Sequence, residues 1–137
     1  MHYLKSLLLT LMFVSLITAH ASADSINRPG QRVDISQFTT RGKATIFDFY
    51  SDYCGPCHSM AEVLDIVEMG DDSLVVKRIN IDRPNSNGID WSSPVAKQYG
   101  ITSVPYLVIY DGDELFLQGD EARAFLEEYI QETYLDD

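Results

Sequence analysis

The chain has 137 residues, of which 21 are acidic and 10 basic, for a formal charge of −11 at pH 7. That length suits one domain. The charge has the wrong sign for phosphate contacts, which need clustered Lys and Arg, so neither nucleic acid nor an anionic membrane surface is an expected partner. The acids are spread along the chain and read as a solvated surface.

Residues 1–23 have the layout of a secretory signal peptide. Lys5 gives a positive start, Leu7 to Ile17 is an apolar run broken only by Thr10 and Ser15, and Ala21-Ser22-Ala23 is a small-x-small cleavage site. An uncleaved anchor is the alternative, but the run falls short of the roughly 20 apolar residues that span a bilayer. The expectation is cleavage near Ala23 and export to the periplasm or beyond. Residues 24–42 then form a leader and short edge element, and 43–137 the folded domain.

Asp24 to Gly30 is polar with a Pro-Gly pair, the composition of a disordered leader or linker. A short edge strand is expected around Val33 to Ile35, with a helical turn near Ser36 to Thr40. Ala44 to Tyr50 is the first firm strand. Apolar residues occupy both of its parities, as in a central strand covered on both faces, and Asp48 is the exception. Cys54 to Met69 carries a helical pattern, with Met60, Ala61, Leu64 and Val67 on one side, stopped by Gly70-Asp71-Asp72. Leu74 to Ile81 is a second strand, parallel to the first through a right-handed crossover.

Asp82 to Trp91 reads as a loop, with Trp91 as a packing residue. Ser93 caps a helix that has Pro94 at its first position and Gly100 as its left-handed C-cap. Pro105 to Tyr110 and Glu114 to Gln118 form a hairpin about Asp111-Gly112. A last helix follows, capped by Asp120, with Ala122, Phe125, Leu126, Tyr129 and Ile130 on one side. The order β-α-β-α-β-β-α implies an α/β fold: a central mixed sheet with helices on both faces and a shortened N-terminus.

The chemistry concentrates at Cys54-Gly55-Pro56-Cys57, which holds the only two cysteines. They lie at a helix start, where unpaired N–H groups and the positive end of the macrodipole favour a thiolate. Residues i and i+3 of a helical turn lie about 5–6 Å apart, within the separation a disulfide needs. The pair can therefore close into a small ring and reopen. A ring so small removes little chain entropy and is a weak staple. Two other readings stay open. One is a static bridge; the other is half of a metal site, for which Cys54, Cys57 and His58 fall short of the four ligands zinc prefers but could serve Cu(I) or a bridged dimer.

Phe47-Asp48-Phe49-Tyr50-Ser51-Asp52-Tyr53-Cys54-Gly55-Pro56-Cys57-His58, with Gly100-Ile101-Thr102-Ser103-Val104-Pro105-Tyr106 downstream, resembles the thioredoxin family from Ala44 to the C-terminus. The resemblance implies the thioredoxin fold and a thiol–disulfide oxidoreductase of the protein-disulfide reductase type, a monomer without bound cofactor or metal. Cys54, at the exposed helix end, would attack a client disulfide and Cys57 would resolve the mixed disulfide. Asp48 would lie beneath Cys57 as its general base; an acid on a solvent-exposed strand position is the alternative. Pro105 would be cis and face the dithiol, where Val104, Pro105, Tyr53, Gly55 and Pro56 would hold an extended client segment; an ordinary trans proline at a strand start is the alternative.

Three positions depart from the family pattern or test it. Tyr53 stands where a Trp is usual, and His58 where a Lys is usual; both flank the dithiol. Arg78 stands where the family carries a Lys near the buried acid, and a guanidinium can only bias that acid electrostatically. Gly-Pro between the cysteines resembles the reducing members, near about −270 mV. A reductant outside the cytoplasm would need recharging by a membrane electron donor. The competing classes are a binding module (a chaperone or copper carrier) and a disulfide oxidase or isomerase.

Overall fold

In a computed structural model, residues 25–135 are described. The leader assigned to residues 1–23 lies outside them. Four strands and three helices alternate in the expected order: β1 (Ala44–Tyr50), α1 (Gly55–Gly70), β2 (Leu74–Asn80), α2 (Pro94–Tyr99), β3 (Tyr106–Asp111), β4 (Glu114–Gln118) and α3 (Gly119–Ile130). A 3-10 turn at Ile35–Phe38 precedes them and a π-helical turn at Gln131–Leu135 follows. The sheet runs β2-β1-β3-β4. β1 is parallel to β2 and antiparallel to β3, which pairs antiparallel with β4.

β1 is central and buried along its length except at its ends. Phe47 and Phe49 point to one face, against Ile79, Ile81, Val95, Ala96 and Ile101, so α2 covers that side. Ile46 points to the other face, with Leu64 of α1 and Ala122 and Leu126 of α3. Each fully buried residue of this kind contributes about 1.5–3 kcal/mol by leaving water, which is why a strand apolar on both parities can exist only between two helical layers. Asp48 has the parity of Ile46 and so faces α1.

α2 is built as its residues dictate. Ser93 Oγ accepts a hydrogen bond from Ala96 N at 3.2 Å, Pro94 opens the helix, and Gly100 closes it at φ 63°.

Five expectations need correction. Residues 25–30 are not a disordered leader: Ile26 N and Gly30 N donate to Arg78 O and Asn80 O of β2, each at 2.9 Å. Val33 to Ile35 form no strand, because α2 side chains take the backbone groups that a ladder would use. Gln98 bonds both Val33 N and Val33 O, and Tyr99 Oη bonds Val33 O and Ile35 N. The hairpin turn is Gly112-Asp113, since Asp111 still pairs with Glu114. Asp120 does not cap α3: β4 runs straight into the helix through Gly119 at φ 63°, and Gln118 occupies the cap position without a side-chain bond. Trp91, expected to pack, keeps 43% of its surface exposed.

Candidate active site

The turn from β1 into α1 is shaped by a buried carboxylate from across the sheet. Asp82 Oδ2 accepts from Ser51 Oγ at 2.7 Å and from Asp52 N at 2.9 Å, and Asp82 Oδ1 accepts from Asp90 N at 3.0 Å. Ser51 Oγ in turn accepts from Tyr53 N at 3.1 Å. These bonds fix residues 51–53 and deliver Cys54 to the N-cap of α1, where its Sγ accepts from Cys57 N at 3.1 Å. Pro56 falls in the first turn, where a backbone donor has no partner to lose.

Cys54 and Cys57 are joined in a disulfide, with Cα atoms 5.2 Å apart. The expectation that Cys54 is exposed is not met in this form: it is 5% exposed and Cys57 2%. Its Sγ lies 3.6 Å from the Val104 carbonyl, on the far side of which the Val104–Pro105 bond is cis. Gly55 and Pro56 are exposed beside it, and a Cβ added at Gly55 would meet nothing within 4 Å. Gly55 and Pro56 are thus open to solvent beside the disulfide, while Val104 touches it and Pro105 is buried behind. Tyr53 directly precedes Cys54 on the turn. Its ring is 56% exposed and its hydroxyl donates to Ser86 O in the following loop.

Beneath Cys57 lies a second assembly. A cavity of about 340 Å³ is bounded by Asp48, Cys57, His58 and Arg78. Asp48 is fully buried and neither carboxylate oxygen has a hydrogen-bond partner among the described residues. Parallel pairing sets Arg78 beside it in register, with Nε 4.0 Å from Asp48 Oδ2. Arg78 directs its other donors to Ala61 O at 2.9 Å and Asp65 Oδ1 at 3.0 Å. Burial therefore dominates and pushes the Asp48 carboxyl up to about 7; Arg78 opposes the rise and Asp65 adds to it. A carboxyl poised near neutrality can take a proton and give it back.

His58 is exposed, with Nε2 3.3 Å from Asp52 O. The geometry ties it to the turn and assigns it no contact with sulfur. No group of three or more His, Cys, Asp or Glu among the described residues is arranged to hold a metal ion. Asp82, Asn80 and the residues that wall the cavity from 25–30 were not singled out from sequence. They act across more than 25 positions of chain, so no local pattern signals them.

The family model described as Thioredoxin matches residues 33–132. A thioredoxin of Chlamydia caviae is 35% identical over 71 residues, covering 51% of this chain and 62% of that protein. Thioredoxin 1 of Synechococcus elongatus is 38% identical over 72 residues, covering 51% and 60%. The chain thus spans about three-fifths of the length of these relatives. Among solved structures, a mutant thioredoxin from Halobacterium salinarum overlays 81% of this chain and 98% of its own at 20% identity, with a TM-score of 0.49.

Proposed function

The chain belongs to the thioredoxin family, and from that premise we propose that it is an exported protein-disulfide reductase working through Cys54 and Cys57. The observation that carries the reading is a closed dithiol whose inner sulfur shares a cavity with a buried carboxyl that accepts no hydrogen bond among the described residues.

The reduced protein acts in two steps. The Cys54 thiolate attacks one sulfur of a client disulfide; a new S–S bond forms and the other client sulfur leaves with the electron pair. Cys57 then gives its proton to Asp48 and attacks Cys54 Sγ. That closes the Cys54–Cys57 bond, breaks the mixed disulfide, and releases the second client sulfur as a thiolate, which takes up a proton. The client gains two electrons and the protein loses two.

Cys57 N, bonded to Cys54 Sγ at 3.1 Å, stabilises charge on that sulfur as attacker and as leaving group. Val104, Pro105, Gly55 and Pro56 supply the face on which an extended client segment rests. Clients are protein disulfides, the protein acts as a monomer, and a membrane electron donor restores the dithiol. The −11 charge disfavours nucleic acid as a partner.

Reduction of a disulfide-bonded test protein by the dithiol form measures the activity directly. Turnover that disappears in Cys54→Ser is the expected result; equal turnover in that variant sinks the assignment. Equilibration against a glutathione series gives the direction, with a potential near about −270 mV expected for a reductase.

A further inference from the structure

Part of the cavity under Cys57 is walled by residues the two-step reaction does not use. Ser25 and Pro29 line it opposite Asp48 and Arg78. They belong to residues 25–30, a strap laid along the free edge of β2. Its main-chain bonds reach Arg78 O and Asn80 O. Gly30 O also accepts from Val95 N of α2 at 3.1 Å, and Ile26 packs against the core; the side chain that bonds β2 itself is Asn27. Asn27 is buried; its Nδ2 donates to Asn80 O and Gln31 O, both at 3.0 Å, and its Oδ1 accepts from Asn80 N at 3.1 Å. Asn80 Nδ2 continues the chain of bonds to Asp52 Oδ2 at 3.2 Å, on the turn before the dithiol.

We propose that Asn27 is a positioning residue for Asp48: it clamps the strap over the cavity and keeps the acid shielded from bulk water. For its catalytic meaning the proposal rests on the reading of Asp48 as the base for Cys57. Its physical content does not depend on turnover.

The groups facing Asp48 define what shielding does. Arg78 faces it from β2; Cys57 and His58 line the same cavity from α1, with Asp65 acting from farther along that helix; Tyr50 and Asp52 come from β1 and the turn after it. Leu107 of β3 is its partner on the other side. The strap adds no charge, since Arg28 is exposed and outside the lining. Its effect on the acid is therefore the exclusion of water rather than a Coulomb interaction. Releasing it gives the carboxylate solvent to bond, so the acid ionises at lower pH and becomes a weaker base for Cys57.

The test is a carboxyl ¹³C NMR titration of Asp48 in the oxidised protein, assigned with Asp48→Asn. In Asn27→Ala the midpoint should fall by about one pH unit or more. An unshifted midpoint in a folded Asn27→Ala protein overturns the proposal. If Asn27→Ala does not fold, Asn27→Ser decides: one short hydroxyl cannot hold Asn80 N, Asn80 O and Gln31 O together. A fall in the same direction supports the proposal, and no change overturns it. A shifted midpoint in a protein that reduces no client counts against the reductase reading alone. An unshifted midpoint in an active reductase counts against the role of Asn27 alone.

Discussion

Replacing Asp48 with Asn should stabilise the protein, and only above mildly acidic pH. The carboxyl is held at about 7 in the fold against an ordinary value of 3.8. Above both values, a difference of that size costs about 4 kcal/mol of stability, at about 1.36 kcal/mol per pH unit. The sign follows from which state binds the proton more tightly. The folded chain holds it longer, so the favourable contribution is full below 3.8, drains away as pH rises through about 7, and is absent beyond. Asn carries no charge to desolvate, but it buries an amide where the carboxylate oxygens had no partner, at about 1–3 kcal/mol.

The net effect of Asp48→Asn is therefore a gain of about 1–3 kcal/mol at pH 8 and a loss of about 0.5–2.5 kcal/mol at pH 4. Urea unfolding of the two oxidised proteins at pH 4, 6 and 8 reads the difference directly, since all other titrating groups are shared. An Asn variant no more stable than the parent at pH 8, or more stable by the same amount at every pH, would refute the account of Asp48 as a desolvated acid.

Three further outcomes are expected. Cys57→Ser should accumulate a covalent adduct between Cys54 and a client, visible as a mass shift that a reducing agent removes; an absence of adduct would count against Cys54 as the attacking sulfur. Arg78→Met should raise the Asp48 titration midpoint above about 7, because Arg78 is the group that opposes burial; a fall would mean that solvent entering beside the shorter-reaching thioether outweighs the lost charge. Ser93→Ala removes the bond to Ala96 N and should cost about 1 kcal/mol in urea unfolding, leaving disulfide reduction unchanged.

What could be read in advance is what neighbouring residues write. Ser93-Pro94 and Gly100 bracket α2 because caps are satisfied within one turn, and the structure uses them so. β1 announced its burial through apolar residues on both parities. The misreadings have two causes, a partner far along the chain or a turn made by something nearer. Residues 25–30 look like linker until Asn27 meets Asn80, 53 positions away. Asp120 satisfies the local rule for a cap, but the positive φ of Gly119 turns strand into helix one residue earlier. Arg78 next to Asp48 is a matter of strand register, which composition cannot specify and which only the family resemblance supplied.

The difference between the two sulfurs is electrostatic rather than steric. At 5% and 2% exposure, burial alone hardly separates Cys54 from Cys57. Their partners do. Cys54 Sγ accepts an N–H bond at the helix N-terminus, where a charged acceptor gains about 1.5–3 kcal/mol from the bond and about 0.3–1 kcal/mol from the dipole. Cys57 lines a cavity that also holds the buried Asp48, and a carboxylate there opposes a second negative charge. Negative charge is thus welcome on the outer sulfur at rest. On the proposed mechanism it becomes tolerable on the inner one when Asp48 takes the proton that Cys57 gives up. The proposed order of attack and release rests on that asymmetry, and a strap that keeps water off the acid would preserve it.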